Sequence, residues 1–78
     1  MTTKEVKKMV NKIIDMNDTD TRFAYSAGTH YYQDGSVIVD CTVESIKTGE
    51  IWCVQNYKGD IFDRIDDARN ELIKRGLA

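Results

Sequence analysis

The sequence predicts an α+β fold with its elements in the order α-β-β-β-α, built as one domain over residues 1–78. Apolar residues recur with helical spacing near both ends of the chain, and they alternate with polar residues through its middle. Two short segments ending in glycine divide the alternating part, which indicates a three-stranded antiparallel meander. Two helices beside such a meander most simply cover one sheet face together, so the other face is expected to be open to solvent.

The first helix is predicted over residues 2–17. Its apolar stripe consists of Val6, Met9, Val10, Ile13 and Ile14. Thr2, followed three residues later by Glu5, is the pattern of a capping box at the helix start. A row of lysines marks the opposite side, which we interpret as a solvated helix face: Lys4, Lys8 and Lys12.

The first two strands are predicted over residues 22–33 and 36–46, with their apolar side chains at odd positions. A three-residue loop with Gly35 in the left-handed conformation pairs Tyr32 with Ser36, and both apolar sets then share one face. This register predicts that four core side chains are almost fully buried: Val39, Cys41, Val43 and Ile13.

The third strand is predicted over residues 50–57, after a second three-residue loop, 47–49. Pairing Ile46 with Glu50 directs three side chains inward and leaves three on the open face. The inward set is Ile51, Cys53 and Tyr57, and the outward set is Trp52, Val54 and Asn56. A two-residue turn at 48–49 is the alternative, and it would reverse the strand and bury Trp52.

The same register places Cys41 across from Gln55, and Cys53 across from Val43. The two thiols would then be diagonal neighbours, and we expect them to be reduced and inert. A small secreted scaffold usually carries more cysteines than two, so the sequence favours a cytoplasmic protein.

The second helix is predicted over residues 64–75, with Asp63 as its N-cap. Its buried stripe consists of Ile65, Ala68 and Leu72. Gly76 is the expected left-handed residue after the helix, and Leu77 can fold back onto Leu72.

Composition excludes several function classes. A net charge of −2 argues against a protein that coats nucleic acid, because phosphate binding needs a surplus of cations. One histidine and two cysteines cannot complete a four-ligand zinc site, and we expect no cofactor. The chain has no stretch of eighteen apolar residues for a membrane span, and no long apolar segment suggests a secretory signal.

The most informative surface is the predicted open face, which mixes aromatic, apolar and polar side chains as contact surfaces do. Its candidate binding residues are Trp52, Val54, Thr42, Glu44, Tyr32 and His30, with Trp52 as the anchor. The acidic start of the second helix adds Asp63, Asp66 and Asp67. We expect this surface to bind a host protein, or a second copy of the chain.

Two RNA-related families share features with the chain. The segment Gly28-Thr29-His30-Tyr31-Tyr32 resembles the Gly-Ser/Thr-His segment of HicA-type toxins, which implies a ribonuclease with His30 as its catalytic residue. The element order is similar to that of double-stranded RNA-binding domains. Those domains place lysines at the start of their second helix, where this chain has acidic residues.

The whole chain resembles small accessory proteins of phages and mobile elements, including some anti-CRISPR inhibitors, in size, acidity and element order. That resemblance implies a non-enzymatic inhibitor. The sequence thus favours an interaction protein, with the ribonuclease and the RNA-binding module as its alternatives.

Overall fold

A computed structural model describes residues 2–56 and 60–78 and confirms the α-β-β-β-α order. The elements are α1 (Thr3–Asp15), a short 3-10 helix (Met16–Asp18), β1 (Phe23–Tyr31), β2 (Val37–Ser45), β3 (Ile51–Gln55) and α2 (Ile61–Lys74). The strands form one antiparallel sheet in the order β1-β2-β3. Helix α1 contacts β1 and β2, and α2 contacts β2 and β3.

Helix α1 begins with the predicted capping box. The Thr2 hydroxyl accepts a hydrogen bond from the Glu5 N–H, and the Glu5 carboxylate accepts one from the Thr2 N–H. Val6 and Ile13 are the fully buried members of the apolar stripe. Ile13 therefore lies in the core, as predicted from its spacing.

The register between β1 and β2 is the predicted one. The Tyr32 N–H donates to the Ser36 carbonyl at 3.0 Å, and Gly35 has a φ of +89°, a conformation that favours glycine. The odd-numbered side chains of both strands then face the helices. Val39, Cys41 and Val43 have no exposed surface, which confirms their predicted burial.

The predicted register between β2 and β3 is wrong by one residue. Trp52 lies opposite Val43, and Val54 lies opposite Cys41, so both side chains face the helices. The connecting loop spans residues 46–49, closed by hydrogen bonds from the Ser45 N–H to the Glu50 carbonyl at 2.9 Å and from the Gly49 N–H to the Ser45 carbonyl at 2.8 Å. A one-residue change in loop length reverses every side chain of the strand.

Packing gives the physical reason for this reversal. Trp52 and Val54 pack against the buried core, whereas the other register would have buried Ile51 and Cys53 and left the indole in water. The side chain of Asn56, which was predicted to point outward, is reversed in the same way. Its carboxamide oxygen accepts a hydrogen bond from the Val39 N–H at 3.0 Å. The predicted inward position of Tyr57 lies outside the described residues.

The cysteine pairing is corrected by the same register. Cys41 lies opposite Val54 and is buried, while Cys53 lies opposite Thr42 and is exposed on the other sheet face. Adjacent residues on neighbouring strands with opposite orientations cannot bring their sulfur atoms together. Both thiols are free.

Helix α2 starts three residues earlier than predicted. Asp60, not Asp63, is the N-cap, and its carboxylate accepts from the Phe62 N–H at 2.7 Å. The reason is that Ile61 is 1% exposed and extends the apolar stripe by one further turn. The predicted C-terminal end is confirmed, because Gly76 has a φ of +73° and the Leu77 N–H donates to the Leu72 carbonyl at 2.9 Å.

Candidate functional site

The open sheet face carries a histidine–aspartate pair toward its β1–β2 hairpin end. Gly28 on β1 lies opposite Asp40 on β2, and a Cβ atom at Gly28 would lie 2.8 Å from Asp40 Oδ1. The missing side chain leaves room for the carboxylate to lean across β1. Asp40 Oδ2 lies 2.5 Å from Nε2 of His30, two residues further along the strand. Their side chains are 30% and 53% exposed, so an approaching molecule can reach both groups.

A second polar pair lies on the same face. The hydroxyls of Ser26 and Thr42 are hydrogen-bonded across β1 and β2. Thr42 is also paired with Cys53 of β3, so a row of small polar side chains crosses the sheet. A shallow depression beside this row is lined in part by Glu44 and Ile51.

The charge of this face has one sign. The strand residues that point outward are Ala24, Ser26, Gly28, His30, Ile38, Asp40, Thr42, Glu44, Ile51, Cys53 and Gln55. This set contains two carboxylates and neither lysine nor arginine. The face therefore repels phosphate groups and attracts cationic ones. Ile51 is 55% exposed and supplies an apolar contact next to Glu44, its partner on β2.

Trp52 and Val54 lie on the opposite side of the sheet from this face. They line a groove of about 350 Å³ between β3 and α2, together with Cys53, Arg64, Asp67, Ala68 and Glu71. The guanidinium of Arg75 lies 4.9 Å from the centre of the Trp52 ring, and its Nε donates to Glu71 Oε1 at 2.9 Å. Trp52 is thus a half-buried packing residue, and the predicted position of the open-face anchor is wrong.

The predicted binding residues therefore divide into separate groups. Thr42, Glu44 and His30 share the open face, as expected. The exposed acidic residues Asp63, Asp66 and Asp67 lie on α2, which packs on the other side of the sheet. Tyr32 lies at the exposed end of the β1–β2 hairpin. One flat partner surface cannot cover the open face and α2 together, so the predicted combined surface does not form.

The His30–Asp40 pair and exposed Ile51 are features that sequence reasoning missed. The His30–Asp40 pair could have been predicted from the β1–β2 register. When Tyr32 is paired with Ser36, counting residues back along both strands places Gly28 opposite Asp40. A carboxylate opposite a glycine has room to reach a diagonal neighbour. The outward orientation of Ile51 could not be predicted in this way. It depends on the length of the loop between β2 and β3, which was predicted one residue too short.

A further polar network joins α2 to the start of β1. The Tyr25 hydroxyl donates to the Asp20 carboxylate, and Arg69 Nη1 donates to the Tyr25 oxygen at 3.1 Å. Burial and the hydrogen bond to Asp20 raise the pKa of Tyr25 to about 12. Burial would raise the pKa of Asp20 as well, but hydrogen bonds from Tyr25 and two backbone N–H groups outweigh it and hold that pKa below its ordinary value. We interpret this network as structural, because Tyr25 is almost completely buried.

Residues 2–56 and 60–78 contain no cluster of three or more histidine, cysteine or acidic side chains that could hold a metal ion. Neither α1 nor α2 has the length and apolar character needed to cross a membrane.

No family model, no curated protein and no solved structure matches the chain.

Proposed function

We propose that this chain is a small non-enzymatic interaction protein that binds a basic surface of a host protein through its open sheet face. The supporting observation is the composition of the outward-facing residues of the described strands, which include two carboxylates and an exposed isoleucine but neither lysine nor arginine. A lysine or arginine of the partner would be placed near Glu44, and apolar atoms beside it would cover Ile51. Ile51 takes the anchor role in this proposal, in place of Trp52.

The proposal includes inhibition of the bound protein. A basic surface on a host protein commonly receives nucleic acid, and an acidic face of this kind competes with phosphates for the same cations. The resemblance of the chain to small phage-encoded inhibitors, in size, acidity and element order, supports this role. The host protein is expected to lose nucleic-acid binding when the complex forms.

Paired charge reversals test the proposal. The wild-type chain, Glu44→Lys and Asp63→Lys are used as baits in host lysate, and retained proteins are identified by mass spectrometry. Both substitutions change the net charge equally, but Glu44 lies on the open face and Asp63 on the exposed side of α2. A partner that binds the open face should be retained by wild type and Asp63→Lys, and lost with Glu44→Lys.

The affinity of the purified pair then provides the quantitative test. Glu44→Lys and Ile51→Ala should each weaken binding by about tenfold or more, corresponding to about 1.4 kcal/mol. Loss of binding with Asp63→Lys, or equal binding by all variants, would show that the open face is not the contact surface. Circular dichroism spectra of the baits should be alike, since both substituted positions lie outside the buried core.

The second candidate function is a HicA-like ribonuclease, and the hydrogen bond between His30 and Asp40 favours it. The imidazole would remove the proton from a ribose 2′-hydroxyl, and the Asp40 carboxylate would orient the ring and stabilise its cationic form. The contrary observation is that outward-facing strand residues provide no cation to hold the phosphate. A double-stranded RNA-binding role has no such support, because Asp60 caps the start of α2 and Asp63 lies in its first turn.

An RNA cleavage assay separates the two functions. The ribonuclease would cleave RNA, and both His30→Ala and Asp40→Asn would abolish cleavage. The binder would leave RNA intact, and His30→Ala would still capture its partner. Cleavage by the wild-type chain that disappears in both variants would refute the non-enzymatic proposal.

A further inference from the structure

His30 can change the charge of the open face, because imidazole is the side chain whose charge ordinarily changes between about pH 5 and 8. It is the one histidine in the sequence, and its Nε2 lies 2.5 Å from Oδ2 of Asp40. A neutral ring with its proton on Nε2 donates that proton to the hydrogen bond, and the carboxylate keeps its negative charge. A protonated ring carries a positive charge, so the pair then has no net charge.

A single proton has a large effect on this face because the face has few charges. Among the outward-facing residues of the described strands, the carboxylates are Asp40 and Glu44, and none of these residues is lysine or arginine. Protonation of His30 therefore removes half of their net negative charge. The new positive charge also lies within hydrogen-bond distance of Asp40, where it repels a cation that approaches this carboxylate.

Gly28 is the residue that allows the pair to form. It lies opposite Asp40, and a Cβ atom at this position would lie 2.8 Å from Asp40 Oδ1. His30 lies opposite Ile38, so its ring meets Asp40 only because the carboxylate leans along β1 over the glycine. Both side chains remain partly exposed, so protons and a partner can reach them from solvent.

The other elements near His30 contribute a phenol and a second carboxylate. Tyr32 comes two residues after His30, on the same side of the chain. Asp34 lies in the hairpin loop, where its Oδ1 accepts hydrogen bonds from the N–H and the hydroxyl of Ser36, at 2.9 and 2.6 Å. Both helices contact the opposite side of the sheet. Asp40 is thus the charged group at hydrogen-bond distance from the ring.

We propose that His30 and Asp40 form a pH switch on the open face, in which protonation of His30 weakens the attraction of this face for a basic partner surface. The inference rests on the proposed function, because it concerns the same face and the same cationic contacts. The chain holds its partner at about pH 8 and releases it as the pH falls toward about 5. A binder without this pair would keep its affinity over the same range.

A rhodamine-labelled octalysine peptide is the probe, since its charge is constant over this pH range. Its binding at low ionic strength is followed by fluorescence anisotropy at about pH 8 and about pH 5.5. Wild-type affinity should be about fivefold lower at the lower pH. His30→Gln is the matched control, because the amide can still donate to Asp40 but does not titrate. Its affinity should be the same at both pH values.

Two charge reversals separate failure of the switch from failure of the proposed function. Octalysine should be lost with Glu44→Lys and retained with Asp63→Lys. If this holds but wild-type affinity is equal at both pH values, or if the pH dependence persists in His30→Gln, the switch is overturned and the proposed function stands. Absence of octalysine binding, or binding that Glu44→Lys leaves unchanged, would overturn both.

Nuclear magnetic resonance of the wild-type chain gives a measurement that needs neither a variant nor a partner. The ring signals of His30 and the side-chain carboxyl carbon of Asp40 should shift together as the pH is lowered, because one proton changes the environment of both groups. An Asp40 signal that does not move while His30 titrates would show that the two groups are not coupled, and would overturn the switch.

Discussion

Replacement of Trp52 by alanine is the sharpest test of the fold, because the two possible registers of β3 predict opposite results. In the structure the indole packs against the core and beneath the Arg75 guanidinium. In the other register it would lie on the open face, where truncation would cost little stability. Trp52→Ala should therefore destabilise the protein.

The magnitude follows from the burial of the ring. Truncation of a fully buried tryptophan costs about 3–5 kcal/mol, so a half-buried one costs about 2 kcal/mol. Loss of the contact with Arg75 adds about 0.5–1 kcal/mol. A domain of this length loses about 4–8 °C in its midpoint for each kcal/mol. The melting temperature of Trp52→Ala should fall by about 10–20 °C.

Thermal denaturation followed by circular dichroism, together with urea titration, measures this loss. Cys53→Ala is the control, because Cys53 is an exposed neighbour on the same strand and its truncation should change stability by less than about 0.5 kcal/mol. An unchanged midpoint for Trp52→Ala would show that the indole faces solvent and that the β3 register is incorrect.

Three further predictions follow from buried groups. Val39→Asp should abolish the cooperative thermal transition, because it places an unpaired carboxyl at a position with no exposed surface. A thiol reagent should modify one cysteine, Cys53, in the native protein and Cys41 only after unfolding, since Cys41 is buried and burial raises its pKa to about 12. Tyr25 has a pKa raised from 10.0 to about 12, so its contribution to stability is complete below pH 10 and is lost as the pH rises through 12. Urea titrations should therefore show that the stability difference between wild type and Tyr25→Phe stays constant below pH 10 and shrinks above it, whereas a difference that is constant to pH 12 would contradict the raised pKa.

Local patterns in the sequence determined much of the architecture. The capping box of Thr2 and Glu5, the stripe of α1 and the left-handed Gly76 depend on residues within one or two helical turns of each other. The β1–β2 register could also be predicted from the sequence. Both strands alternate strongly between apolar and polar residues, and one loop length puts both apolar sets on the same face. These features need no knowledge of distant parts of the chain.

Tertiary packing decided the orientation of β3 and the start of α2. The alternation in β3 is weak, because Ile51, Trp52, Cys53 and Val54 can each be buried, so the sequence permits either face. Space beside α2 accepts the indole, and the loop lengthens to 46–49 to allow it. Ile61 likewise joins the helix because the core has room for one more side chain. The orientation of β3 also determined the composition of the candidate site. Ile51 lies on the open face, where Trp52 was predicted, and this result depends on contacts between elements far apart in sequence.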